Sequence, residues 1–390
     1  MSAPRRGAPQ WVAAEPLICR STLSRLKGAA GVTSRWHFGA PKTIGNRTIN
    51  QTKMATQPTR KYLSEFAVNL FSGRWLMIPS WQIGGDGTMS PEHAEVSENC
   101  HIYLICRRPG FSYDPSTFSY LDGKISGDLI YKLDGVAKKI PFETEFPLLD
   151  GAIDIALSPY PHREIQTKDS NGEIVRFLPA TALGIGLGVH VRECSLSDLE
   201  VLYVGQAYAD GKRSAIDRLK SHSTLQKILA DTQYNMPDDE TFVLTFEYAP
   251  YRVVTMFDGR ASNPIKGESD EKRFISIFEN PLTQHQQICL AEAGLIRYFQ
   301  PKYNEIYKES FPASNLKILS ECYDLDFSAL AVEIDTEELG FNLYSKSTTP
   351  NHHHIAQFDL FNPSERLSFF SLEGQSGNNV ARPDVIPPSR

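Results

Sequence analysis

A glutamate stands on an apolar helical stripe. The segment 283–299 reads as an amphipathic helix, and at about 100° per residue Ile288, Leu295 and Phe299 share one face with Glu292 inside it. An ionised carboxylate in that position is costly unless it is paired, hydrogen-bonded or bound to a cation. Upstream lie further residues able to do chemistry. His190 closes Gly188-Val189-His190. Thirteen residues on comes Tyr203 in Tyr203-Val204-Gly205-Gln206, followed by Arg218 and His222, four apart and so expected on one helix face. Arginine offers a planar fork to phosphate oxygens. A carboxylate can hold Mg²⁺ with several waters retained. A tyrosine or histidine can take a proton from an attacking water. Together they suit phosphate-ester chemistry.

The elements expected to position them alternate between strand and helix. Residues 183–192 read as a Gly-interrupted strand carrying His190, and residues 200–205 as a second strand carrying Tyr203. Residues 213–222 read as a short helix. Ser223 is expected to cap the next one, which turns Leu225, Ile228 and Leu229 inward. Residues 241–247 alternate as a strand, residues 257–273 read as an exposed loop, and Pro301 stops the Glu292 helix.

Ahead of this region, residues 62–180 read as β-rich. Residues 74–79 and 100–106 are short apolar runs bounded by breakers. Asp134-Gly135 and Asn171-Gly172 each separate two strand-like runs, a two-residue hairpin signal. Cys100, His101 and Cys106 do not make a metal site, because strand alternation puts His101 on the face opposite both cysteines. The division expected is a basic leader or disordered segment at 1–61, a β-rich domain at 62–180, the mixed domain at 181–325 and a largely irregular extension at 326–390. His352-His353-His354 in that extension reads as a chance run. The fold class is α+β: an antiparallel β-rich part, then a small sheet flanked by helices.

Composition narrows the classes. With 390 residues, 41% hydrophobic and 22% charged, the chain can bury sizeable cores. Six scattered cysteines without a C-x-x-C pair suit reduced thiols rather than a disulfide frame. No run is long and apolar enough to span a bilayer, so no membrane segment is expected. Residues 1–61 hold 11 Lys/Arg against the single acid Glu15, which leaves the remainder at −16 from a total of −6. An acidic body does not attract polyanions without a local basic patch. The basic stretch is compatible with a leader ahead of a natural start at Met54, a disordered arm or an organellar transit peptide. The expected location is cytoplasmic, or an organelle on the last reading. Gly184, Gly186 and Gly188 lack the dinucleotide-binding spacing.

The ordered set resembles the GIY-YIG nuclease family over about residues 183–306. That family has a G-I-Y tripeptide, Y-I-G about ten residues later, R-x-x-x-H on the next helix, then a glutamate followed by a hydrophobic pair, and P-x-x-N. Tyr203-Val204-Gly205 looks like the second tripeptide, Arg218 and His222 the R-x-x-x-H, Glu292 the metal-binding glutamate, and Pro301 with Asn304 the P-x-x-N. Gly188-Val189-His190 stands where the first tripeptide would be, with His190 in place of its tyrosine. The resemblance implies hydrolysis of a phosphodiester in nucleic acid, DNA ahead of RNA, with one Mg²⁺ or Mn²⁺ on Glu292, with Tyr203, Arg218, His222 and His190 as the catalytic residues, and with the 62–180 region selecting substrate or a protein partner. A non-catalytic binding or scaffold module on the same fold is the competing expectation.

Overall fold

The structure is a computed structural model that describes residues 59–83, 90–133, 135–149, 151–186, 196–208, 215–220, 222–248, 250–362 and 365–371. His190, the 209–213 segment and the basic leader up to residue 58 lie outside the described residues.

The fold is α+β. The chain opens with β1 (Glu65–Pro79), α1 (Pro91–Asn99) and β2 (Ile102–Pro109). Seven short strands follow: β3 (Ser112–Tyr113), β4 (Ser119–Leu121), β5 (Lys124–Leu133), β6 (Val136–Glu145), β7 (Asp154–Leu157), β8 (Glu164–Lys168) and β9 (Ile174–Pro179), then α2 (Ala180–Gly186). Next come β10 (Leu199–Gln206), α3 (Ala215–Leu219), α4 (Ser223–Asn235), β11 (Asp239–Tyr248), β12 (Arg252–Met256), α5 (Glu268–Glu279) and α6 (Gln284–Phe299). The last elements are α7 (Ser320–Asp324), β13 (Ala329–Asp335), β14 (Leu343–Tyr344) and β15 (His353–Asp359).

The principal sheet runs β14-β10-β2-β11-β1-β13-β15, with β12 also on β1. The first hairpin read from sequence is present: Leu133 pairs with Val136 across a turn that puts Gly135 at φ 77°. The second is longer than a two-residue turn, for the ladder of β8 and β9 closes at Lys168 and Ile174 and residues 169–173, with Gly172 at φ 81°, connect them. Strands β3–β6 make one small sheet and β7–β9 another. They share a core of their own, built on residues such as Tyr113, Ile125, Leu129 and Ile165.

The expected division near residue 180 cuts through the principal sheet. Strands β1 and β2 lie before it, yet β2 is hydrogen-bonded to β10 on one side and β11 on the other. The region that stands by itself is the excursion between the end of β2 and the start of β10. The extension after 326 is also more ordered than its composition suggests, for β13 pairs in parallel with β1 and antiparallel with β15. Parallel pairing with a strand so distant in sequence leaves no local signature. His354 is a core residue, hydrogen-bonded at Nδ1 to Tyr298 Oη (3.0 Å) and at Nε2 to Leu343 O (2.9 Å).

Two layers cover the sheet. On one face lies α6, with Ile288, Leu295 and Phe299 fully buried as the stripe predicts. Each such side chain contributes about 1.5–3 kcal/mol through burial. Thr283 and Gln286 form a capping box at its start. Gln300 in the left-handed region, followed by Pro301, ends it. The opposite face carries α3 and α4, whose Ala215, Leu219, Leu225 and Ile228 pack on Tyr103, Ile105, Leu202 and Val243.

Three local expectations fail. Residues 183–186, expected to open the strand at 183–192, belong to α2, because Pro179 ends β9 and Ala180, Ala182 and Leu183 are good helix formers, while residues 187–192 lie outside the described residues. The helix after residue 214 stops at Leu219, and His222, not Ser223, caps α4. The stretch expected as a loop to residue 273 is already α5 from Glu268, which begins with Glu268, Asp270 and Glu271 against the helix dipole.

Candidate active site

The site begins with two neighbouring strands. Antiparallel pairing sets Tyr103 of β2 opposite Gly205 of β10, with Tyr203 two residues back on the same strand. The rings of Tyr103 and Tyr203 lie 6.1 Å apart, and each faces His222, at 5.9 and 5.5 Å. Gly205 is a packing requirement. A Cβ there would sit 2.6 Å from Cζ and Oη of Tyr103 and 2.7 Å from Cε1 of Tyr203. A tyrosine ring lies where any larger residue would need to be.

His222 is fixed at both nitrogens. Its Nδ1 accepts from the backbone N–H of Leu225 (3.3 Å), capping α4, and its Nε2 lies 3.4 Å from Tyr103 Oη. With Nδ1 an acceptor, the neutral ring carries its proton on Nε2 and donates toward Tyr103. Arg218, in the last turn of α3, also acts on Tyr103 through a hydrogen bond and its positive charge. Burial pushes the Tyr103 hydroxyl well up, and Arg218 pulls against it. Tyr203 is raised in the same way by burial and by the charge of Glu292, while Arg218 and Tyr103 lower it. Both phenols are therefore neutral at pH 7. They are suited to hydrogen-bonding and to passing a proton in concert, not to standing ionised.

Glu292 comes from the α6 layer and meets the C-terminal end of β10. Gln206 Nε2 donates to its Oε2 at 2.8 Å. Glu292 as a residue is half-buried. Burial raises its pKa from 4.5 to about 7, against the Gln206 hydrogen bond and the charge of Arg218. Cys289, one turn earlier, shares Gln206 with it, at 3.5 Å from Nε2. Asn304 is a positioning residue. Its Oδ1 accepts from Val204 N (2.9 Å) and its Nδ2 donates to Val204 O (2.8 Å), locking the strand edge beside Tyr203.

Tyr203 thus lies against the His222 ring and within the electrostatic reach of Arg218 and Glu292, and Arg218 acts on Glu292 as well. Arg218 and His222 meet at Tyr103 from different elements, the last turn of α3 and the cap of α4. His190 lies outside the described residues. The residue that sequence reasoning missed is Tyr103. Its signal was present as His101-Ile102-Tyr103, a strand tripeptide ending in tyrosine, but 100 residues before Tyr203.

The donor set bears on a metal. Among the described residues, no group of three or more His, Cys, Asp or Glu side chains could enclose an ion. A single carboxylate, steadied by Gln206 and within electrostatic reach of the tyrosine pair, fits Mg²⁺ or Mn²⁺, which keep most of their waters and take further oxygens from a phosphate substrate. It does not fit a closed structural zinc site. Comparison with family models, curated proteins and solved structures finds no match. No helix among the described residues is long and apolar enough to cross a membrane.

Proposed function

We propose that this chain hydrolyses phosphodiester bonds in nucleic acid, with one divalent cation, Mg²⁺ or Mn²⁺, at Glu292, in a GIY-YIG-like site. The observation that carries the reading is the placement of Tyr103 and Tyr203 on adjacent antiparallel strands, both against His222, within the electrostatic reach of Arg218 and Glu292. On this reading Ile102-Tyr103 takes the place of the family's first tripeptide, with His101 where its glycine stands. His190 is then not needed as a substitute. The family's interval of about ten residues is replaced by the long excursion from residue 110 to 198, whose two ends are held together because β2 and β10 pair.

The roles follow from the groups. A bound cation supplies neutralisation of charge on the phosphate. Glu292 holds it, and Gln206 holds Glu292. Arg218 presents a delocalised cation to the phosphate oxygens as charge builds there, a contribution of several kcal/mol for a preorganised group. Tyr103, fully buried, accepts from His222 and Arg218 and gives its own O–H to Tyr203, so it orients Tyr203 rather than touching the substrate. Tyr203, the more accessible of the two phenols, positions the attacking water. DNA is the first substrate to test and RNA the second. The excursion between β2 and β10 selects the substrate or a protein partner.

The test is cleavage of plasmid, linear and single-stranded substrates with Mg²⁺ by the purified chain and by Glu292→Gln. Loss of cleavage in a folded Glu292→Gln protein supports hydrolysis. Equal activity in both proteins, or none in either, removes it. The second reading, a non-catalytic scaffold module, is favoured by the acidic body, and is what the latter outcome would leave.

A further inference from the structure

We propose that the open edge of β10 carries a lysine cleft that holds the phosphodiester backbone of the substrate beside the phosphate being cut. The proposal rests on the nuclease reading above and adds a binding track to it.

The strand partner of β10 on this side is short. β14 pairs only at Leu343–Leu199 and Tyr344–Glu200. Further along, Tyr303 N donates to Leu202 O and Asn304 takes over at Val204. Between these two covers lies a cleft of about 200 Å³ whose lining includes Glu200, Gln300, Lys302, Lys308, Ser345 and Lys346. Three lysines converge on it from two different loops, in a body that is acidic overall.

The neighbouring charges do not cancel them. Glu200 is already held by Arg107 Nε (2.7 Å). Glu309 is taken by Arg297. Lys302 has a long contact with Asp231 (4.0 Å), whose carboxylate also accepts from Tyr303 Oη (2.7 Å). Lys308 and Lys346 make no side-chain ion pair among the described residues. The last carbonyls of α6, which would repel an anion, are occupied as well. Gln300 Nε2 donates to Arg297 O, Thr348 Oγ1 to Tyr298 O and Ser347 Oγ to Phe299 O. What is left facing the cleft is lysine ammonium, the chemistry of phosphate binding without base readout.

The cleft and the tyrosines share one strand. Val201 lines the cleft and Tyr203 is two residues further along β10, roughly 7 Å at about 3.3 Å per residue. A register irregularity lies between them and they pack in different cores, so a bound backbone would pass around the strand edge rather than along one face.

The experiment measures binding of a fluorescent single-stranded DNA and of its duplex, by anisotropy across a NaCl series, in the full-length Glu292→Gln protein. The same series is run after adding Lys308→Gln with Lys346→Gln, and separately after adding Lys302→Glu. Removing one phosphate-binding lysine lowers the salt slope by about 0.7 for a single strand or 0.9 for a duplex. The double variant is expected to lose about 1.4–1.8 in slope and at least tenfold in affinity near 0.1 M salt, with an unchanged thermal melt. Unchanged slope and affinity in both variants overturn the cleft. So does inorganic phosphate at millimolar concentration displacing nothing while a neutral competitor displaces the DNA. The two readings separate cleanly. If the wild-type chain cleaves and the lysine variants bind as tightly as their parent, the cleft fails and the hydrolase stands. If the lysine variants lose slope but no protein cleaves, the cleft stands and the hydrolase fails.

Discussion

Glu292 is placed where ionisation costs stability. Its pKa is raised to about 7, chiefly by burial. A carboxyl whose folded value exceeds its unfolded one stabilises the fold only when protonated. The cost of ionising it begins as pH passes the usual carboxylate range and is complete above about 7. At 1.36 kcal/mol per unit that cost reaches up to about 3 kcal/mol at pH 8. Glu292→Gln is therefore expected to melt higher than the wild type at pH 8, with the difference shrinking toward zero near pH 4, while losing cleavage. Cleavage by the wild type should fall as pH drops through about 7, because the protonated carboxyl cannot hold a cation. Raising Mg²⁺ should move that midpoint to lower pH, since the cation competes with the proton. A midpoint indifferent to Mg²⁺ would detach the titration from metal binding. Gly205→Ala gives a second prediction. The added carbon must displace the Tyr103 ring, so kcat should fall at least tenfold at a stability cost of about 1–3 kcal/mol, checked by steady-state kinetics beside a urea melt. Glu292, Tyr203 and Arg218 were legible because each breaks a local pattern or sits at a fixed short spacing. Tyr103 was not, because on its own strand it is one more residue of an apolar run, and only pairing with β10 reveals what it faces.

Elements differ in how much of their placement is local. The helix α6 carries its own start and stop, Thr283 with Gln286 at one end and Pro301 at the other, so its limits were readable to within a residue. The break between α3 and α4 was not. An R-x-x-x-H spacing favours one continuous helix, but the ring of His222 gains a backbone donor from Leu225 and a phenol from Tyr103 by stepping out as a cap. That tertiary gain overrides a helical preference worth only tenths of a kcal/mol per residue. The edge of β10 is likewise held by something other than a strand. Asn304→Ala would leave both polar groups of Val204 without partners in a buried setting. The cost expected is about 2–4 kcal/mol, seen as a lower urea midpoint at unchanged slope, with kcat falling as Tyr203 loses its anchor. A variant that melts normally yet loses activity would instead give Asn304 a direct part in the reaction.

At the scale of the whole molecule, chain order and spatial order diverge. The sheet that holds the site is assembled from strands on both sides of a long excursion, and that excursion has a separate core. Truncation near residue 180 would strip β2 from between β10 and β11, so the principal sheet should form in neither fragment. Excision is the informative cut. Removing residues 111–197 and joining Gly110 to Asp198 through a turn of a few residues reconnects two strands that are already antiparallel neighbours. The side-chain bonds that tie the excursion to the remaining body lie mostly at the surface, such as Arg163 with Glu240 (3.0 Å), Lys132 with Asp238 (2.8 Å) and Thr181 with Glu240. Surface pairs of this kind contribute about 0.2–1 kcal/mol each. Shortening the loop returns roughly 2 kcal/mol of closure entropy. The balance favours a folded product with a melting temperature near or above that of the full chain. Its Mg²⁺-dependent cleavage should persist on a generic substrate while preference among substrates or partners changes. Circular dichroism melts and a cleavage panel on both proteins decide it. An excised chain that folds but discriminates among substrates as the intact one does would leave the excursion without a part in recognition, and one that fails to fold would make it structural support for the sheet.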